Sequence, residues 1–178
     1  MLTHKNHITK VRSRQRVRPA AVQPVVMLTR HWRGIGNKKV IMVDKIQMIG
    51  TAFLPIDKSN KKILVSKRSM NKKYFPGYWE VIGGNLEFGE DFTDCVIREV
   101  KEEINCNIKN LTHLHSRTMY LNDLMYITVA YYGEILEEPV FNKNEISEIK
   151  WITENEIDDF EFCPGDVELL KIGFKSIK

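Results

Sequence analysis

Three carboxylates crowd into Arg98-Glu99-Val100-Lys101-Glu102-Glu103, just after the loop Gly83-Gly84-Asn85-Leu86-Glu87-Phe88-Gly89-Glu90. A helix advances by ~100° per residue, so with Glu99 at zero, Glu103 falls near 40° and Glu102 near 300°. All three share one arc, and Phe92, Val96 and Val100 fall beside Glu99 and Glu103 on the same wheel. A solvated acidic face is the ordinary reading of such a run. It fits poorly, because clustered carboxylates repel and burial beside an apolar stripe adds a desolvation cost. A divalent cation resolves both problems: Mg²⁺ takes carboxylate oxygens and keeps waters and phosphates as its other ligands. The spacing alone therefore points to a metal site.

The flanking residues narrow this. From Gly84 there are five residues to Glu90, seven more to Arg98, and then the acidic run. The pattern resembles the Nudix box, G-x5-E-x7-R-E-U-x-E-E-x-G-U with U a bulky apolar residue, over Gly84 to Cys106. Every charged position matches. Asn105 stands in place of the last glycine and Cys106 in place of a bulky aliphatic. Asn is second only to Gly at a left-handed helix C-cap, so the turn is expected to survive.

The resemblance implies roles by position. Glu99 and Glu103 match metal ligands, Glu102 a third, and the Gly83 backbone carbonyl a further one. The metal is Mg²⁺ (or Mn²⁺). The residue matching Glu99 is the general base in MutT-type members, whereas other members take the base from outside the box. Glu90 and Arg98 are expected to pair, clamping loop to helix and steering Glu99; the simpler alternative for Arg98 is a surface i,i+4 pair with Glu102. Gly84 permits close backbone approach at the turn.

Outside the box, Arg68 ends a strand where related enzymes often place a basic residue against substrate, and an exposed strand-end charge is the competing reading. Phe75 and Tyr78 are candidates to stack on a base, with Trp79 better placed as a core aromatic. Ile82 stands where MutT-type sequences commonly carry proline. Glu145 and Glu148 fall in a region from which many members supply an extra carboxylate, and Glu145 is the first candidate. His113 and His115 alternate in a strand, which puts them on one side, but further ligands are wanting.

Elements must position these residues. Ile46 to Ile56 and Lys62 to Arg68 read as a hairpin across the turn Asp57-Lys58-Ser59-Asn60. Tyr78 to Ile82 reads as a short strand feeding the double glycine. Asp91 caps a helix from Phe92 to Ile104. Strands follow over Thr112 to Tyr120, Leu124 to Leu136 and Ile146 to Ile152. Thr153 or Asp158 starts a short helical turn, and Pro164-Gly165-Asp166 starts a last helix to about Ile177. Strands before, between and after two helices indicate an α/β sandwich and not a doubly wound parallel sheet. The resemblance implies the Nudix fold, a mixed β-sheet between α-helices.

Composition divides the chain near Asp44. Residues 1–43 carry ten Lys or Arg and no acid, whereas the remainder holds 17 basic and 23 acidic side chains. The expected organisation is a basic, mostly disordered extension over 1–43 and a catalytic domain over 44–178. The extension reads as a presequence, a basic arm for nucleic acid, or a start assigned upstream of Met42 or Met48, with the last or a dispensable extension favoured over the nucleic-acid arm. No apolar run approaches a membrane span. Cys95, Cys106 and Cys163 show no metal spacing, and the first two are expected to pack as small apolar groups in a reducing, cytoplasmic setting.

The expected activity is hydrolysis of a nucleoside diphosphate linked to another group: first a nucleoside triphosphate, oxidised or otherwise non-standard, to monophosphate and pyrophosphate. Nucleotide sugars and related compounds stay open, as do a homodimer, processing of nucleic-acid ends, and a catalytically silent nucleotide-binding module.

Overall fold

The computed structural model describes residues 27–30 and 44–177. Its strands are β1 (Met27–Arg30), β2 (Asp44–Asp57), β3 (Lys62–Arg68), β4 (Trp79–Glu80), β5 (Ile82–Asn85), β6 (Ile108–Leu121), β7 (Leu124–Ile135) and β8 (Ile146–Ile152). The helices are α1 (Phe92–Ile104) and α2 (Asp166–Ser176), with a short 3₁₀ turn at Glu154–Asp159. The sheet runs β4-β3-β2-β7-β6, with β1 and β5 also on β2, and β8 also on β3. Among the described strands, β2 and β7 pair in parallel and the other pairs are antiparallel, with an isolated parallel bridge between Trp79 and Phe162. This is the expected mixed sheet between helices.

Alternation along the strands builds two cores. In β2, Ala52, Leu54 and Ile56 join Leu169, Leu170 and Phe174 of α2 on one face. Phe53 points the other way and meets Val96, Val100 and Ile104 of α1. The same split repeats in β3, where Ile63 and Val65 share the α2 face and Leu64 the α1 face. Trp79 is buried in the α2 core, as a core aromatic should be. Cys95 and Cys106 are buried free thiols.

The hairpin is shorter than expected. β2 and β3 pair only at Ile56↔Ile63 and Asp57↔Lys62, next to a turn closed by Asn60 N–H donating to Asp57 Oδ1 at 3.1 Å. Beyond it the strands diverge, β2 to β5 and β7, and β3 to β4 and β8. The strand read over Tyr78 to Ile82 splits for the same reason: β4 belongs to β3 and β5 to β2. Val81 is the crossing residue, and its N–H is satisfied by Asp166 Oδ2 at 3.2 Å instead of by a strand. The paired histidines also fail. A bulge sets His113 opposite Tyr131 and His115 opposite Ala130. Consecutive residues face opposite sides of a strand, so the two imidazoles do not share a face.

Helix α1 has the anticipated bounds. Asp91 is its N-cap in extended conformation, with Cys95 N–H donating to the Asp91 carbonyl at 2.9 Å. Asn105 is its C-cap in the left-handed region, at φ 54° and ψ 32°. The last turn begins at Thr153, whose N–H donates to Glu156 Oε2 at 2.8 Å. Met27–Arg30 adds four pairs to β2, from Met27↔Gln47 to Arg30↔Asp44. This strand interrupts a stretch in which the sequence shows no sustained period; the rest of the basic extension lies outside the described residues.

The left-handed cap yields a stability prediction. Asn105→Gly should leave the melting temperature equal or raised, while Asn105→Val should cost about 1–2 kcal/mol because a β-branched residue resists φ near +55°. Thermal unfolding of both variants measures the difference; equal melting would mean the turn has re-formed differently.

Candidate active site

Loop and helix meet through Arg98. Its Nε donates to Glu90 Oε1 at 2.8 Å and its Nη2 to Glu90 Oε2 at 2.9 Å, a two-pronged pair. Nη2 also donates to the Asn85 carbonyl at 3.0 Å. Nη1 donates to Glu99 Oε1 at 2.7 Å and, more loosely, to Glu102 Oε2 at 3.3 Å. Both readings of Arg98 are thus present, and geometry ranks them: two short bonds join loop to helix, against one long bond along the helix. The guanidinium holds the Glu90 carboxyl below the usual range, helped by the Glu87 N–H, while its carboxylate partners raise Arg98 further above its already high value.

At the edge of α1, Glu103 is buried, Glu99 half-buried and Glu102 exposed. Burial pushes the Glu99 carboxyl up against the lowering effect of Arg98. Glu103 is pushed up to about 8, first by burial and then by the charges of Glu80 and Glu99. Its hydrogen bond comes from Gly83 N–H at 3.3 Å, and no cation among the described residues stands at ion-pair distance.

The double glycine makes this approach feasible. A Cβ on Gly84 would overlap the Glu99 carboxylate, and one on Gly83 would overlap the Thr51 carbonyl. These two glycines let β5 lie against β2 on one side and against the acidic edge of α1 on the other.

The cleft in front has a volume of about 1140 Å³. Gly83, Gly84, Glu99, Glu102, Glu103, Arg68, Phe75 and Glu145 all line it. Tyr78 does not: it sits against the Phe75 ring, 5.6 Å between centroids, and bonds Glu161, which raises its phenol. The expectation that Tyr78 faces substrate is corrected accordingly, because the turn before β4 directs it toward the segment between the 3₁₀ turn and α2. Glu90 and Arg98 stand behind the lining, so Arg98 is a positioning residue and not one that meets substrate.

Four lining residues went unremarked as site candidates: Glu80, Lys72, Arg117 and Asp166. Glu80 pairs with Arg68, whose Nε also donates to the Tyr74 carbonyl at 3.0 Å. Arg68 is therefore already engaged within the cleft. Arg117, from β6, donates to the Gly165 carbonyl and lies 3.6 Å from Asp166 Oδ1. Burial raises Asp166 to about 7, against the lowering effects of Val81 N–H and Arg117. The buried Arg117 Nε has no hydrogen-bond partner. Met48, Met119, Leu124 and Tyr126 give the cleft an apolar wall. Among these, only alternation in β6, which puts Arg117, Met119 and Leu121 on one face, was visible from the chain.

The donors suit a hard divalent cation: all are oxygens, and Glu103 is a buried acid without a counter-charge. Among the described residues no three such groups are already gathered as a closed cage, as repulsion among carboxylates dictates. Glu99, Glu102, Glu103 and the Gly83 carbonyl are the residues that would hold the ion.

Comparison with known proteins agrees with this geometry. A family model described as NUDIX domain matches residues 48–171. An uncharacterized Nudix hydrolase of Nostoc sp. is 31% identical over 145 residues, covering 79% of this chain and 79% of that protein. The crystal structure of a MutT NUDIX hydrolase from Burkholderia pseudomallei superposes with a TM-score of 0.62 at 19% identity, over 70% of this chain and 96% of that one. The NUDIX domain of Shewanella oneidensis NrtR, solved with ADP ribose, gives 0.65 at 16% identity, over 74% and 89%.

Two outcomes are expected. In Gly84→Ala the flexible end of Glu99 must yield, so turnover should fall about 100-fold with little loss of melting temperature; unchanged turnover would place the working carboxylate elsewhere. In EDTA, wild type should lose stability as pH rises from the ordinary glutamate range (~4.3) through about 8. The sign follows because folding raises this acid, so its contribution is complete below the unfolded value and is lost on passing the folded one. Glu103→Gln should flatten that decline in thermal melts across pH 5 to 9; parallel declines would show another group responsible.

Proposed function

The chain belongs to the Nudix family and is a Nudix hydrolase, and we propose that it uses a divalent metal ion, Mg²⁺ (or Mn²⁺), to convert a nucleoside triphosphate, including oxidised or otherwise non-standard ones, to monophosphate and pyrophosphate. The observation that carries this reading is the Arg98-held Glu99 beside the counter-charge-starved Glu103, both facing a cleft deep enough for a nucleotide. The ion, when bound, supplies charge neutralisation on the diphosphate and activation of water. The chain's own residues do the rest. Arg98 fixes the direction of the Glu99 carboxylate. Glu99 is the candidate to accept the proton of the attacking water, since Arg98 holds its carboxylate at the cleft. Glu145, on the opposite rim, is the second candidate for that role. The apolar wall, with Phe75 at the mouth, offers a surface for the base.

A panel of nucleoside triphosphates, ADP-ribose, NAD and a nucleotide sugar, assayed for phosphate and pyrophosphate release with Mg²⁺ or Mn²⁺, tests the reading. Glu99→Gln and Glu102→Gln should each lower turnover, Glu99→Gln by about 100- to 10,000-fold. Nucleotide binding without turnover on any compound would favour the silent regulatory module; preference for ADP-ribose or a nucleotide sugar would displace the triphosphate. Removing residues 1–41 should leave small-nucleotide turnover in place, and its loss together with activity on a capped RNA would favour nucleic-acid ends.

A further inference from the structure

Three cations line the cleft, Arg68, Lys72 and Arg117, and they are not equally committed. Arg68 is paired with Glu80, with side chains only 18% and 15% exposed. Arg117 is held by the Gly165 carbonyl and Asp166, both side chains being 12% exposed. Removing one partner from such sheltered pairs is strongly unfavourable, because the other charge is left buried. Lys72 is different. Its sole ion-pair partner among the described residues is Glu145, and those side chains are 25% and 42% exposed. Pairs of that kind contribute little, since water and salt screen both ends. Lys72 is thus the cation that can change partners at least cost.

Its position suits a phosphate. Lys72 lines the same cleft as Glu80 and Glu103, and its charge offsets a little of the upward push that burial gives both acids. Its backbone is anchored. Lys72 N–H donates to the Ser69 carbonyl at 3.2 Å, Ser69 N–H to the Glu145 carbonyl at 2.9 Å, and Ser69 Oγ to the Asn144 carbonyl at 2.9 Å. Ser69 is itself buried. The two loops are therefore sewn together beneath the ion pair, and an exchange of partners needs only rotation of two side chains. An ammonium on a flexible four-carbon stem is built for that kind of point-charge contact.

We propose that Lys72 binds a phosphate group of the substrate and that Glu145 holds it in reserve: the arriving diphosphate displaces the Glu145 carboxylate from Lys72 and leaves Glu145 free at the rim of the cleft. The inference rests on the diphosphate-hydrolysing reading above, but its test does not require turnover. Calorimetric titration with inorganic pyrophosphate and with α,β-methylene-ATP, each with Mg²⁺, reads affinity directly. Lys72→Ala should weaken both about tenfold and flatten the dependence of affinity on salt, while Lys72→Arg, keeping the charge, should stay within about threefold of wild type. Glu145→Gln should tighten binding about two- to fivefold by removing the competitor, and this gain should vanish in the Lys72→Ala background. Unchanged affinity in Lys72→Ala overturns the proposal, as does equal weakening in Lys72→Arg. A Glu145→Gln gain of the same size with and without Lys72 overturns the reserve role, leaving simple repulsion. Lys72-dependent binding in a protein that hydrolyses no nucleotide would count against the enzymatic reading alone; turnover and binding both indifferent to Lys72 would count against this proposal alone.

Discussion

Arg98 gathers a loop and a helix that also meet where Gly83 N–H donates to Glu103 and Cys95 Sγ to the Asn85 carbonyl. Its donors reach Glu90 twice, Glu99, Glu102 and the Asn85 carbonyl. Each bond fixes a different part of the site. Glu90 brings in the far end of the glycine loop, Asn85 the end of β5, and Glu99 the carboxylate that faces the cleft. Asn85 extends the network, since Tyr126 of β7 donates to its side-chain oxygen at 3.0 Å. A planar cation with five donors can coordinate so many directions at once; an ammonium cannot.

The sheet places this assembly by carrying a different core on each face. β2 alternates between them, with Phe53 against α1 and Ala52 and Leu54 on the α2 side. Because β5 pairs with the same strand, Gly83 and Gly84 sit opposite Ala52 and Thr51 and directly over the acidic edge of α1. On the far side, α2 contributes Asp166, which bonds Val81 at the point where the chain passes from β4 to β5. Both helices thus hold the short double-glycine segment, one through Glu103 and Glu99, the other through Asp166.

The cleft gathers many acids, and their treatment separates structure from chemistry. Glu80 and Asp166 have arginines beside them. Glu103 has no such partner, and Glu145 has only a loosely sheltered lysine. Acids left under-compensated in a concave site are where a cation and a polyanionic substrate restore balance, which sets Glu103 and Glu145 apart from Glu80, Asp166 and the Arg98-held Glu99.

Local physics was readable along the chain. The apolar stripe and caps of α1 give the same bounds, Phe92 to Ile104, in sequence and in structure. β3 and β8 likewise keep their anticipated ends, since alternation and turn residues act within a few positions. The wheel put Glu99 and Glu103 beside the core stripe, and the structure buries Glu103, half-buries Glu99 and leaves Glu102 outside. What depends on residues far apart in the chain was not readable. Val81 interrupts a strand because Asp166, 85 residues away, takes its N–H. Tyr78 turns from the cleft because Phe75 and Glu161 hold it. His113 and His115 part because of a bulge against β7. Glu80, Arg117 and Lys72 became site residues through partners contributed by other elements. Spacing within a helix or loop is written into the covalent chain, so the box and its acidic edge were legible from the residues. Charge pairing and strand crossing follow from which distant segments packing brings together, and the folded sheet alone decided those.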